Sequence, residues 1–288
     1  MLKIGVFGAG RLGKLHLDNW KKIPDIQIAG FYDPSDLAAK EVINNYNIKR
    51  YNSADQLIQA CDVADVATPP SARFPLCKKA ILKSRHVLVE RPMANTMEQA
   101  REIVQLVKEA NTIFMVGNVE RFNPSFNMAI PENAPQFIVA YRNEPSENIE
   151  PVNVILDLMY QDIDIILSIA NSNVKSVYAN CVSVYREKPD LVNARIEFDN
   201  GCIADLTASC ISKKRVSTLD LYRKGEHLSL DFLEKRSGSN CDALKAQLES
   251  FHNSIINRSA SAMSEIDGLR SMEVAHLIIE KIGRNTAR

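Results

Sequence analysis

The sequence predicts an α/β chain: a doubly wound parallel sheet first, then an α+β domain whose sheet is mainly antiparallel. Three observations predict it. Up to Asn118, short apolar runs alternate with longer amphipathic ones, the strand–helix alternation of a parallel sheet with helices on its faces. After Asn118, one helix-like stretch near 153–170 is followed by consecutive runs of alternating polarity, the pattern of hairpin-linked strands with one face turned to water. The 288 residues are enough for two domains with a sizeable core. The boundary is expected after residue 118, giving units 1–118 and 119–288, with a last helix at 267–283 able to pack back on the first.

In order, the first unit reads as the strand KIGVFG, a helix to Lys22, the strand IQIAGFYD, a helix around Leu37–Asn45, the strand DVADVAT, a helix, the strand HVLVERP, a helix and the strand TIFMVGN. Strands of a parallel sheet are buried on both faces, so they appear as nearly continuous apolar runs. The second unit reads as VKSVYANCVSVY, LVNARIEFD, CIADLTASC, RVSTLDLYRK and EHLSLDFL, with Asp199-Asn200-Gly201 supplying the turn between two of them. Helices near 241–257 and 267–283 close the chain. The segment NEPSENIEPV, 143–152, is the best candidate for a mobile loop. There are no repeats and no low-complexity tracts.

Composition restricts the partners. Lysine plus arginine, 35, balance aspartate plus glutamate, 35, so no net field draws the chain to nucleic acid or an anionic membrane. A small molecule is the expected partner. The six cysteines have no C-x-x-C spacing and no nearby histidine, so neither a zinc site nor a disulfide framework is signalled, and no metal is expected. The N-terminus enters a strand-like run without a signal-peptide layout, and no apolar stretch approaches membrane-spanning length, so the expected location is cytoplasmic.

The first chemical motif follows the first strand directly: Gly8-Ala9-Gly10-Arg11-Leu12-Gly13 is a G-x-G-x-x-G arrangement that opens a helix. Gly8 permits the tight turn, Gly10 lets a pyrophosphate approach the backbone, and Gly13 lets helix and strand pack closely. The backbone N–H groups at the helix start, including those of Arg11 and Leu12, face the phosphates. Asp33 ends the second strand about 20 residues after the last glycine, where an acid grips the ribose diol. A carboxylate there repels a 2′-phosphate, so NAD is expected over NADP. The structural alternative for Asp33 is a cap on the helix that follows.

With VATPPS (66–71), VLVERP (87–92), VGNVERFNP (116–124) and DLMYQDID (157–164) beside that loop, the chain resembles the Gfo/Idh/MocA family of NAD(P)-dependent oxidoreductases, which act mostly on sugars, polyols and nucleotide sugars. The V-E-R-F-N-P and D-L-M stretches further resemble the branch containing UDP-N-acetylglucosamine dehydrogenases. The resemblance implies a Rossmann domain followed by a substrate and oligomerisation domain. It implies that Thr68 and Pro69 line the cofactor, as do Glu90, Arg91 and Asn118. Arg121 and Asn123 are then substrate-side residues, with bracing of the structure as the alternative. Glu90, Arg91 and Pro92 occupy the family's E-K-P position, whose lysine usually reaches nicotinamide and substrate. Asp157, Gln161 and Asp164 fall on its D-x-x-x-H-x-x-D pattern, whose histidine usually serves as acid and base. Asn118 and Arg73 also stand where the family often has histidine. Pairing through the second sheet, as in relatives, implies a homodimer or homotetramer.

The departures matter chemically. On a regular helix, Asp157, Gln161 and Asp164 lie on one face, with Ser168 continuing the stripe. Glutamine positions a hydroxyl but takes no proton, and arginine stays charged at every relevant pH. Tyr160, about 60° from the stripe by helical geometry, and Asp157 are the two substitute proton carriers; the alternative for Tyr160 is a half-buried packing residue. Asp162 falls among Leu158, Ile166 and Ile169, where an unpaired carboxylate is costly, so a buried partner such as an arginine or a backbone amide is expected. His16 reads as a packed or capping histidine. These residues point to an NAD-dependent oxidoreductase of a sugar-like compound with altered proton handling. The alternatives are an NAD-binding sensor or scaffold, and an NAD-using elimination in which hydride leaves and returns.

Overall fold

A computed structural model of the chain describes residues 1–129, 134–145, 153–234 and 242–286. Two compact units are present: Met1–Val119 with Cys241–Leu269, and Glu120–Asn240 with Arg270–Arg288. This division departs from a single boundary after residue 118, because Cys241–Leu269 returns to the first unit. An amphipathic helix announces that one face is buried, but not against which element.

The first unit contains β1 (Leu2–Phe7), α1 (Arg11–Trp20), β2 (Ile26–Tyr32), α2 (Asp36–Tyr46), α3 (Ala54–Ala60), β3 (Val63–Val66), α4 (Pro70–Leu82), β4 (His86–Glu90), α5 (Met97–Ala110) and β5 (Phe114–Gly117). The five strands form a parallel sheet in the order β2-β1-β3-β4-β5. All four residues of β3 and of β5 are buried, as the continuous apolar runs require. Side chains of Ser35, Ser53 and Thr96 cap α2, α3 and α5 by accepting the N–H of Ala38, Gln56 and Gln99, each satisfying a helix-end donor. The seven-residue α3 is absent from the sequence-based assignment, being too short to show a full amphipathic period. The order of strands reverses direction of growth at β1, between β2 and β3, which is the crevice where open α/β sheets take ligands.

In the second unit, α6 (Pro124–Ala129) precedes β6 (Phe137–Asn143). A π-helical turn, Val154–Met159, then runs directly into α7 (Tyr160–Ala170). The strands β7 (Val174–Val182), β8 (Leu191–Phe198), β9 (Ile203–Ser209), β10 (Val216–Arg223) and β11 (Glu226–Asp231) follow. With β6 they form a six-stranded sheet in the order β11-β10-β6-β9-β8-β7. Every pairing is antiparallel except the parallel pair β6–β9. The central strand β6 is also missing from the sequence-based assignment. Its partners are distant in sequence, and Arg142 occupies one of its buried positions, so the run lacks the apolar alternation that marks its neighbours.

Along β8 and β9, Val192, Ala194, Ile196, Ala204, Leu206 and Ala208 are buried, and the π turn packs against β6, β8 and β9. Gly201 between β8 and β9 has φ +85, which a side chain rarely adopts, so the Asp199-Asn200-Gly201 turn holds as read. Val182, which ends β7, is exposed, as are Val184 and Tyr185 just beyond the strand. Asn143 ends β6, while residues 146–152 of the expected mobile loop lie outside the described residues.

The chain closes with α8 (Ala243–Asn257), which packs on α1 in the first unit, and α9 (Glu265–Thr286). Among the described residues no helix is long and apolar enough to cross a membrane.

Candidate active site

The glycine loop has the shape its spacing predicts. Gly8 has φ +110, and a Cβ there would meet the Ala67 carbonyl oxygen at 2.6 Å. A Cβ on Gly13 would collide with the Gly8 carbonyl, whereas one on Gly10 meets nothing within 4 Å. Gly10 is also the N-cap of α1, and no side chain caps that end. The loop therefore presents unserved helix N–H groups beside an open space, the requirement for a pyrophosphate.

On the β2 side of the loop, Asp33 Oδ2 accepts the Ala9 N–H at 2.7 Å and Oδ1 accepts the Ser35 N–H at 2.8 Å. Two of a carboxylate's roughly four acceptor sites are thus engaged, leaving others for ribose hydroxyls. Ser35, and not Asp33, caps α2. Arg50 donates to the Asp33 carbonyl at 2.9 Å and pairs with Asp36 at 2.7 Å.

On the β3 and β4 side, Thr68 Oγ1 is buried without a hydrogen-bond partner, and Pro69 is exposed beside it. Arg73, buried on α4, donates from Nε to the Thr68 carbonyl at 3.0 Å and from Nη1 to the Pro92 carbonyl at 3.0 Å and the Arg91 carbonyl. One guanidinium therefore ties the turn after β3 to the turn after β4. Asn118, following β5, is buried as well.

Glu90 belongs to a buried charge cluster. His16 Nδ1 lies 2.8 Å from Asp65 Oδ2, which also accepts the Trp20 indole N–H at 2.7 Å. His16 Nε2 is 3.3 Å from Glu90 Oε1, without the alignment of a fully formed hydrogen bond. Burial by itself lowers the His16 pKa, but Asp65 and Glu90 outweigh it and carry it up to about 10. Burial likewise raises Glu90, and His16, Arg91 and Arg73 more than reverse this, holding the carboxyl below its ordinary value. At neutral pH His16 is then an imidazolium between two carboxylates.

The second unit holds the polar stripe. Arg121, on the 3-10 turn Val119–Phe122, grips Asp164 with both arms: Nε to Oδ2 at 2.7 Å and Nη2 to Oδ1 at 2.5 Å. Asp164 is fully buried and Gln161 nearly so. Asp162 has the expected arginine: Arg142 donates to it from Nε at 2.9 Å and from Nη2 at 2.8 Å, and its Nη1 lies 3.4 Å from Glu120 Oε1. Burial lowers the Arg142 pKa, but Asp162 and then Glu120 raise it beyond its ordinary value. Asn123 donates to the Phe232 carbonyl and accepts the Ser125 N–H, both at 3.0 Å, so its amide serves the local fold.

The π turn changes the first part of the stripe. Asn153 accepts the N–H groups of Ile155 and Leu156, while Asp157 Oδ2 accepts the Asn153 N–H at 2.8 Å. This is a reciprocal cap, with the acid one residue later than in an α-helix because the turn is wider. A rotation of 100° per residue therefore does not carry across Asp157. Tyr160, expected half-buried at the stripe's border, is fully buried.

Asp157, Tyr160, Gln161 and Asp164 thus belong to one helical segment, with Arg121 added to Asp164. Gly8, Asp33, Thr68, Glu90 and Arg91 lie at strand ends of the first unit, and Gly10 and Gly13 at the start of α1. The sequence assignment missed Arg73, Arg142 and the His16–Asp65 pair as organisers of these sites. Only Asp65 carried a signal: an acid inside the apolar run VADV needs a buried partner.

Residues 2–118 match the Gfo/Idh/MocA family model, described as an oxidoreductase family with an NAD-binding Rossmann fold. A UDP-N-acetylglucosamine 3-dehydrogenase from Acidithiobacillus ferrooxidans is 27% identical over 235 residues, covering 81% of this chain and 74% of the relative. A solved structure of the enzyme from that organism superposes with a TM-score of 0.91 at 26% identity, over 98% of this chain and 97% of the other. A scyllo-inositol dehydrogenase structure from Lactobacillus casei, with bound NAD(H) and scyllo-inositol, shares the fold at a TM-score of 0.89 and 18% identity, over 99% and 98% of the two chains. Fold and glycine cradle together define an NAD-binding oxidoreductase. Over residues 2–118 the chain matches the Gfo/Idh/MocA family model, and along most of its length it is similar to a dehydrogenase.

Proposed function

We propose that this protein is an NAD-dependent dehydrogenase that oxidises a CH–OH carbon of a sugar, nucleotide sugar or related polyhydroxy compound. The observation that carries the reading is the open cradle at Gly10 in a chain similar along most of its length to a UDP-N-acetylglucosamine 3-dehydrogenase. NAD supplies hydride acceptance. Gly8, Gly10, Gly13 and the N–H groups of Arg11 and Leu12 hold the pyrophosphate, and Asp33 accepts the ribose hydroxyls. Thr68, Pro69, Glu90, Arg91 and Asn118 serve the nicotinamide half. Gln161 orients the substrate hydroxyl through its amide, with Arg121 on the substrate side. Arg91 favours a substrate bearing a carboxylate or phosphate.

Oxidation of a carbinol releases a hydride and a proton, and Gln161 takes no proton. Both oxygens of Asp164 already receive the arms of Arg121. Of the two substitutes, the proton is assigned to Asp157, which is less buried than Tyr160. Single-turnover reduction of NAD, run with a panel of nucleotide sugars and sugar acids, tests the assignment. Gln161→His introduces a group that titrates near neutral pH, and the expected gain is about tenfold or more. An NAD-binding sensor or scaffold is the second reading, favoured by the loss of a titrating group at both position 91 and position 161. It predicts no turnover in wild type and no gain in the variant.

The outward face of the second sheet carries Tyr141, Tyr178 and Tyr222, all exposed, together with Asn193 and Arg195. Exposed aromatic side chains on one sheet face suit a second copy of the chain. The expected assembly is a homodimer or homotetramer through that face. Light scattering at micromolar concentration checks it, and a monomeric mass contradicts it.

A further inference from the structure

We infer that His16 is a positioning residue for the nicotinamide half of the cofactor, fastening the pyrophosphate-binding helix α1 to Glu90 and so to the turn that carries Arg91. The inference rests on the reading of the first unit as an NAD site.

His16 lies in the second turn of α1 and is fully buried, as is Asp65. Two donors fix Asp65: His16 Nδ1 and Trp20 Nε1 both come from α1. They anchor the helix to β3 and leave the far ring nitrogen, Nε2, 3.3 Å from Glu90 Oε1. On its other side the Glu90 carboxylate lies over Gly117. A Cβ on that glycine would meet Oε1 at 2.5 Å and Cδ at 3.0 Å. The carboxylate is thus held between a cation and a bare Cα. The next residue is Arg91, whose carbonyl Arg73 already holds. Backbone and side chain at the end of β4 are therefore restrained separately.

The topology says what this restraint acts on. In an open α/β sheet a dinucleotide spans the strand ends at the switch point. Asp33, on the β2 side of the glycine loop, takes the adenosine ribose, so the ends of β3 and β4 receive the other half. An inert packing cluster would change stability alone. A positioning cluster changes how much the nicotinamide half contributes to binding, and leaves the adenosine and pyrophosphate contacts as they were.

Two amides separate the two ring nitrogens. Asn at position 16 imitates Nδ1 and keeps Asp65, while Gln imitates Nε2 and reaches toward Glu90. Calorimetric titration with NAD and with ADP-ribose, which lacks the nicotinamide ring, compares wild type, His16→Asn, His16→Gln and Gly117→Ala. In His16→Asn and Gly117→Ala, NAD affinity is expected to fall about tenfold or more, as for a lost hydrogen bond or contact to a charged group. ADP-ribose affinity stays within about twofold of wild type. His16→Gln recovers most of the NAD affinity. Parallel losses for both ligands, or unchanged NAD affinity in both His16→Asn and Gly117→Ala, overturn the inference alone. A wild type that binds neither ligand overturns the NAD reading and the inference with it.

Discussion

Gly10→Val is expected to remove NAD binding while leaving thermal stability close to that of wild type. A Cβ at Gly10 meets no protein atom within 4 Å. Its backbone, at φ −72 and ψ −172, is extended and suits a β-branched residue. The isopropyl group would instead fill the place through which a pyrophosphate reaches the α1 N–H groups. Loss of those charge-assisted contacts, together with the steric block, is expected to weaken NAD by about 100-fold or more. Gly13 is the contrasting position, because a side chain there strikes the Gly8 carbonyl and damages the turn itself. Calorimetry paired with a thermal melt separates the two effects. Unchanged NAD affinity in Gly10→Val would place the dinucleotide elsewhere.

Arg142→Leu is expected to destabilise the second unit by about 3–5 kcal/mol, the usual cost of removing one partner of a buried ion pair. Arg142 and Asp162 are both buried, and Glu120 is nearly so. Without the guanidinium, two carboxylates remain in a medium that solvates them poorly. The cost arises from stranding these charges more than from losing attraction, so Arg142→Leu combined with Asp162→Leu should recover much of the stability. Urea unfolding followed by circular dichroism measures both. Hydrogen exchange in β6 and α7 is expected to rise in the single variant and to return toward wild type in the double one. A single variant within about 0.5 kcal/mol of wild type, the range of ordinary surface substitutions, would show that water reaches these groups.

The parts of the molecule that were legible in the sequence are those in which local pattern and burial coincide. The strands β1 to β5 are continuous apolar runs because both faces are covered, and the glycine loop is legible because each glycine meets a separate steric demand. Elsewhere, long-range partners decide. β6 hides because Arg142 interrupts its buried face for the sake of Asp162 and Glu120, neither of which belongs to the strand. The π turn is invisible to periodicity: one extra residue shifts Asp157 into a cap and alters every angle reckoned from it. Arg73 looks like any polar helix residue until the three carbonyls around it are known. Asp162 was legible in part, since burial among Leu158, Ile166 and Ile169 demanded a partner that the sequence alone did not identify.

The proton balance is the center of the functional account. Gln161 takes no proton and Arg91 stays charged at every relevant pH. The pH dependence of single-turnover NAD reduction, measured with the best substrate of the panel, tests the account most directly. Wild type is expected to reduce NAD with no inflection in rate between about pH 5.5 and 8, whereas Gln161→His should show one near pH 6.5, the ordinary range of an imidazole. An inflection near neutrality in wild type would mean that another residue carries the proton, and no reduction with any polyhydroxy substrate would mean that the protein does not perform this oxidation.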